Sequence, residues 1–167
     1  MKTLLILRHA KSSWNHDDLA DYDRPLSKRG ESDVPRIGIL LQKEHLVPDL
    51  IISSSAQRAH KTAQLVANAC GGYEHELRVC PELYLAQPLA YLLILQELGG
   101  QIDRVMVVGH NPGLEQLLEA LTGQINPLPT ATLAHVRLNI AHWSDFGKDR
   151  SGELVSIWRP QEMPEGN

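Results

Sequence analysis

The sequence is poor in several things, and each shortage excludes something. Of its 167 residues only Cys70 and Cys80 are cysteine, and they form no CxxC pair. Neither a zinc ribbon nor a thioredoxin-like site is therefore suggested, and two lone thiols of this kind are expected to be inert. HxH, HExxH and Cys/His clusters are missing too, so no metal site and no cofactor is expected. No apolar run approaches the roughly 20 residues that span a bilayer. The apolar stretch at residues 3–7 is cut at once by Arg8 and His9, which predicts no signal peptide. Charge of one sign is not in excess: the net charge is −4 and the pI about 6.0, which argues against a general nucleic-acid binder. There is no internal repeat. The expectation is a cytoplasmic protein that engages neither membrane nor nucleic acid.

Hydrophobic residues make up 43% of the chain and charged residues 22%, which speaks for a folded protein. At this length one domain is expected, over residues 1–160, followed by a loose tail at 161–167 that contains Pro164 and Gly166. Aromatics are scarce, with 3 Trp, 4 Tyr and 1 Phe, yet there are 8 histidines. Histidine suits proton transfer, nucleophilic attack and metal ligation near neutral pH, so its abundance points to chemistry without naming any.

Short apolar runs at residues 3–7 and 50–52 read as buried strands. Residues 12–29 are polar and rich in Asp, a loop. Ser27 can cap a helix whose apolar positions are Val34, Ile37, Leu40 and Leu41, with Pro35 predicting a kink or a late start. Helices follow at residues 56–70, 88–98 and 113–121, and strands at 77–80, 104–108, 132–139 and 153–158. This alternation predicts an α/β fold, a three-layer α/β/α sandwich around a mostly parallel sheet. Such sheets carry their sites beyond the carboxyl ends of the strands.

Those ends carry Arg8-His9, a serine-rich turn followed by Arg58, Pro81-Glu82, and Gly109-His110-Asn111. Two arginines, two histidines and one glutamate are the groups that phosphate chemistry needs. Guanidiniums grip phosphate oxygens through forked, charge-assisted hydrogen bonds. One imidazole can attack phosphorus, and the other can stabilise the transferring group. A carboxylic acid can protonate the leaving group. Any one of these residues has an ordinary structural explanation. What singles them out is that they fall together on the edge that strand topology selects.

Four blocks, in order over residues 2 to about 123, resemble the histidine phosphatase superfamily, which includes the phosphoglycerate mutases. Leu7-Arg8-His9-Ala10, continuing to Trp14-Asn15, resembles its Arg-His-Gly signature, with Ala10 in place of the glycine. The stretch Pro25-Leu26-Ser27-Lys28-Arg29-Gly30, the block from Ser53 to Ala63 and the segment Val107 to Gly113 resemble its other three motifs. The run at Arg8 to Trp14, that at Asp21 to Ser27, and Gly109-His110-Asn111-Pro112-Gly113 look most like the SixA-type phosphohistidine phosphatases.

The resemblance implies the phosphoglycerate mutase-like fold and a metal-independent phosphatase. His9 would be the nucleophile, Arg8 and Arg58 the phosphate-binding groups, and His110 the residue that completes the pocket. Glu82 is implied, more loosely, as the catalytic acid, and Asn15 and Arg24 as further phosphate-pocket residues. Ala10 should keep the turn if its φ stays negative. The interval from Glu82 to His110 is too short for a large lid, so an open groove is expected, suited to phosphohistidine on a signalling or phosphotransfer protein. Two other readings are a small-molecule phosphomonoesterase and a non-catalytic phosphate-binding module. The remaining histidines (His16, His45, His60, His75, His135 and His142) are expected to be structural or solvent-facing, with His16 the candidate for a rim position.

Overall fold

The computed structural model describes residues 1–71, 76–149 and 152–164. Its framework is a six-stranded sheet of β1 (Lys2–Arg8), β2 (Leu50–Ser54), β3 (Glu76–Cys80), β4 (Arg104–Gly109), β5 (Leu133–Leu138) and β6 (Gly152–Trp158). The spatial order is β3-β2-β4-β1-β5-β6. The first four strands are mutually parallel, β5 runs antiparallel to β1, and β6 antiparallel to β5. The sheet is thus mostly parallel, as the alternation of elements predicts. The one reversed strand follows the loop after the last helix rather than a helix of its own.

Among the described residues four α-helices cover the sheet: α1 (Lys28–Lys43), α2 (Gln57–Ala69), α3 (Pro88–Gln96) and α4 (Gly113–Thr122). The two-residue period of a strand sorts the core into two layers. Leu4 and Ile6 of β1 pack with Tyr91 and Leu95 of α3 and Leu114 and Leu118 of α4, while Leu5 and Leu7 face Val34 and Ile37 of α1 and Ala59 and Ala63 of α2. These positions are all fully buried. Burying a leucine-sized side chain stabilises by roughly 1.5–3 kcal/mol, so this double-sided strand is the anchor from which the site is hung.

Helix α1 starts where Ser27 predicts: the serine oxygen accepts a hydrogen bond from the Gly30 amide at 3.1 Å. A Cβ on residue 30 would collide with the Lys11 carbonyl, so only glycine lets this first turn press against the loop after β1. The helix runs unbroken through Pro35, with neither a late start nor an interruption. Pro35 denies the Glu31 carbonyl its partner, but Glu31 is exposed and water can serve it, while Val34, Ile37 and Leu41 are buried beside it. At the other end, Pro160–Glu162 forms a turn docked on α1, where Arg36 donates to the carbonyls of Pro160, Met163 and Pro164. The expected loose tail therefore meets a held segment up to Pro164, and residues 165–167 lie outside the described ones. No helix among the described residues is long and apolar enough to cross a membrane.

Candidate active site

The pairing of β1 with β4 sets the site. Arg8 stands opposite Gly109 in this parallel pair, so the next residues, His9 and His110, emerge side by side. The His9 amide continues the ladder by donating to the Gly109 carbonyl at 3.1 Å. The imidazole centroids lie 5.2 Å apart with the rings tilted by 52°. Both residues are buried, His9 at 6% exposure and His110 at 2%. The backbone amide of Ala10 donates to the Thr62 hydroxyl at 3.0 Å, which ties the turn after His9 to α2. Ala10 is not among the residues with positive φ, so alanine fits where the motif has glycine.

His9 is held in one tautomer. Its Nδ1 lies 2.7 Å from the Ala10 carbonyl oxygen. A carbonyl only accepts, so Nδ1 carries the proton and Nε2 keeps its lone pair free. Burial, reinforced by the neighbouring His110, Arg58 and Arg8 charges, pushes the His9 pKa down to about 3, although the Ala10 hydrogen bond opposes this. The ring is neutral at pH 7 and ready to act as a nucleophile. Burial and the Arg58 charge likewise lower the His110 pKa to about 4. His110 Nε2 is 2.8 Å from the hydroxyl of Ser54, the last residue of β2. Its Nδ1 is buried without a partner, and so is Arg8 Nε. The Arg8 nitrogen is always protonated, a donor that an anion can meet.

The arginines come from different elements. Arg8 ends β1 and donates through Nη1 to the Leu128 carbonyl at 3.1 Å. Arg58 stands on the first turn of α2 and makes a two-point contact with Asp21, to the carbonyl at 2.7 Å and to Oδ2 at 3.0 Å. Arg24 donates to Asp21 Oδ1 at 3.0 Å, and Tyr84 donates its hydroxyl to Oδ2 at 2.6 Å. The Tyr84 hydrogen bond, followed in effect by Arg58 and Arg24, holds the Asp21 pKa down to about 2. Asp21 is therefore a permanent anion that fixes both guanidiniums. Arg8, His9, Arg24, Arg58 and His110 line one open cleft of about 430 Å³.

Two sequence-predicted residues are not brought to this cleft. Glu82 lies exposed on the turn Pro81–Leu83 and is not among the lining residues. Asn15 is exposed and borders a separate groove with His16, behind the loop. Conversely, the fold brings Asp21, Ser54 and Tyr84 to the site, and sequence reasoning misses all three. Asp21 sits in the Asp-rich loop and Ser54 in the serine-rich strand end, so the signal was present but carried no role. Of the other histidines, His75 lies outside the described residues, His135 stacks against Trp158, and none of the described ones lines the cleft.

A sequence profile described as the histidine phosphatase superfamily (branch 1) matches residues 4–84. An uncharacterized chloroplastic protein of Arabidopsis thaliana is 32% identical over 152 residues, covering 86% of this chain and 70% of that one. The chain belongs to the histidine phosphatase superfamily. A crystal structure assigned as the phosphohistidine phosphatase SixA of Agrobacterium tumefaciens superposes with a TM-score of 0.81 at 29% identity, covering 95% of this chain and 98% of that one. The fold is shared as well by a protein histidine phosphatase SixA complexed with tungstate, with a TM-score of 0.79 and 23% identity over 95% of this chain and 97% of that one. This histidine phosphatase is thus a phosphatase with a SixA-like architecture. Its first motif supplies Arg8 and His9, its third Arg58 and its last His110, and the fold gathers all four at one sheet edge.

Proposed function

We propose that this histidine phosphatase hydrolyses phosphohistidine on a signalling or phosphotransfer protein through a phospho-His9 intermediate. The observation that carries the reading is the chemistry of the cleft wall: among the described residues that line it there is no carboxyl group. Glu82 points to solvent from outside the cleft, and nearby Asp21 is kept ionised by Tyr84, Arg58 and Arg24. An alkoxide leaving group needs a proton in the transition state. A phosphohistidine whose other ring nitrogen is protonated does not, because its imidazole departs neutral.

In the first step the His9 Nε2 lone pair attacks phosphorus, and the P–N bond to the substrate imidazole breaks with its electron pair leaving on that nitrogen. Arg8 and Arg58 hold the phosphoryl oxygens, and His110 stabilises the charge that shifts onto them. As His9 becomes a phosphorylated imidazole, its proton stays on Nδ1 and is still donated to the Ala10 carbonyl, which stabilises the growing positive charge. In the second step water attacks phosphorus, the P–N bond to His9 breaks, the electron pair returns to Nε2, and phosphate carries away the protons of water. No metal or cofactor takes part in this proposal.

A side-by-side assay tests the substrate class. The wild-type protein, offered a phosphohistidine-bearing phosphotransfer protein and a panel of sugar phosphates, is expected to show the higher kcat/KM on the former. Preference for a sugar phosphate would favour the small-molecule reading, and no turnover of either would favour a phosphate-binding module.

A further inference from the structure

The cleft has a basic floor, and beside exposed Lys11 two large apolar side chains stand at its rim. Trp14, on the loop after β1, is 74% exposed, and Leu85, on the connection between β3 and α3, is 56% exposed. Both line the cleft that holds His9 and His110. Isolated exposed apolar residues are common on protein surfaces, yet these two are set in place by specific structure.

The Trp14 ring is stacked on a fixed guanidinium: Arg24 Cζ lies 3.4 Å from the ring centroid. Arg24 is itself buried and anchored, donating to the Ser13 carbonyl at 3.2 Å, to the Ser12 hydroxyl and to Asp21. One face of the indole is occupied by this cation–π contact, and most of the rest of the side chain is exposed beside the cleft it lines. Leu85 adopts a left-handed backbone with φ of 50°, a conformation that disfavours a leucine. Such strain collects where a side chain is held for function. Here it accompanies an exposed leucine at the cleft.

We infer that Trp14 and Leu85 form a subsite for the leaving group, selecting phosphate carried on a flat, weakly polar ring over phosphate on a polyhydroxylated or small flexible group. An aromatic face attracts another ring through offset or edge contacts, whereas sugar hydroxyls would find no hydrogen-bonding partner on either side chain. The natural ring is imidazole under the proposed function, and this part of the inference rests on that reading. The preference for a ring does not, since any ring-borne phosphate reports on it.

The test compares p-nitrophenyl phosphate, which has a ring, with acetyl phosphate, which has none and also leaves without needing a strong acid. The readout is the ratio of their kcat/KM values in the wild type, Trp14→Ala, Trp14→Phe and Leu85→Ser, with inhibition by inorganic phosphate measured in parallel. Trp14→Ala should lower the ratio roughly fivefold. Trp14→Phe should recover most of that loss, and Leu85→Ser should lower the ratio less. An unchanged ratio overturns the inference. So does a parallel loss on both substrates together with weakened phosphate inhibition, because Trp14 would then act only by steadying Arg24. Should the ratio fall as expected while the wild type leaves phosphohistidine protein untouched, the ring subsite stands and the proposed natural substrate does not; a wild-type preference for sugar phosphates over p-nitrophenyl phosphate overturns the inference.

Discussion

The imidazoles of His9 and His110 face each other at 5.2 Å because β1 and β4 are parallel neighbours in which Arg8 pairs with Gly109. Two histidines 101 positions apart in sequence thereby become a matched pair at one sheet edge. One has its proton fixed on Nδ1 by the Ala10 contact and is kept neutral by burial, and the other, held through Nε2 by Ser54, lines the same cleft.

The tautomer of His9 can be read directly. With its pKa pushed down to about 3, His9 should remain neutral with the proton on Nδ1 from pH 8 to pH 5 in phosphate-free protein. Nitrogen-15 NMR of the histidine side chains checks this. A titration near the ordinary value of about 6.5 would contradict the buried, neutral nucleophile.

The same depression has a thermodynamic sign. Below pH 6.5 the unfolded chain takes up protons that folded His9 and His110 refuse until about pH 3 and about pH 4. Stability should therefore fall as pH drops from about 6.5 toward those values. Thermal melts across this window should show a shallower decline in His9→Gln than in the wild type. Identical slopes would mean that His9 is not held neutral by the fold.

Asp21 should act through the arginines it holds. Asp21→Asn keeps the shape but removes the charge that Arg58 and Arg24 share. A fall in kcat/KM on p-nitrophenyl phosphate of about tenfold is expected, the scale of one charge-assisted hydrogen bond, with weaker inhibition by inorganic phosphate. Unaltered kinetics would show that Arg58 is positioned without it.

Glu82, by contrast, should matter little. Exposed and outside the cleft, it is expected to tolerate Glu82→Gln with kcat/KM within about twofold of wild type, as surface substitutions usually do. A loss well above tenfold on an alkyl phosphate, whose alkoxide must be protonated as it leaves, would restore it as the acid.

The legible part of this site was the part written in consecutive residues. Arg8-His9 and Gly109-His110 close the two most strongly apolar strands, and a strand that is buried on both faces leaves only its end free for chemistry. Arg58 follows because a helix must start soon after β2. The rest depends on contacts across long separations. Asp21 reaches Arg58 over 37 positions and Tyr84 over 63, and Ser54 reaches His110 over 56. No local period or spacing encodes those meetings. Motif adjacency misleads in the same way for Asn15: it follows Trp14 in sequence, yet Trp14 borders the cleft and Asn15 borders the groove behind it. Glu82 likewise closes a strand, but the Pro81–Leu83 turn leaves it in solvent. Pro35 predicts a kink or a late start because local propensity takes no account of the buried face that keeps α1 continuous.

The central claim is covalent transfer to His9, and the most direct measurement is to catch it. Wild-type protein turning over a phosphohistidine protein is quenched within milliseconds in denaturing alkali and mapped by mass spectrometry, with His9→Ala alongside. The account predicts acid-labile, base-stable phosphate on His9 of the wild type, none on His9→Ala, and a drop in turnover in the variant of more than about a thousandfold. Absence of protein-bound phosphate during wild-type turnover, or undiminished turnover by His9→Ala, would contradict it.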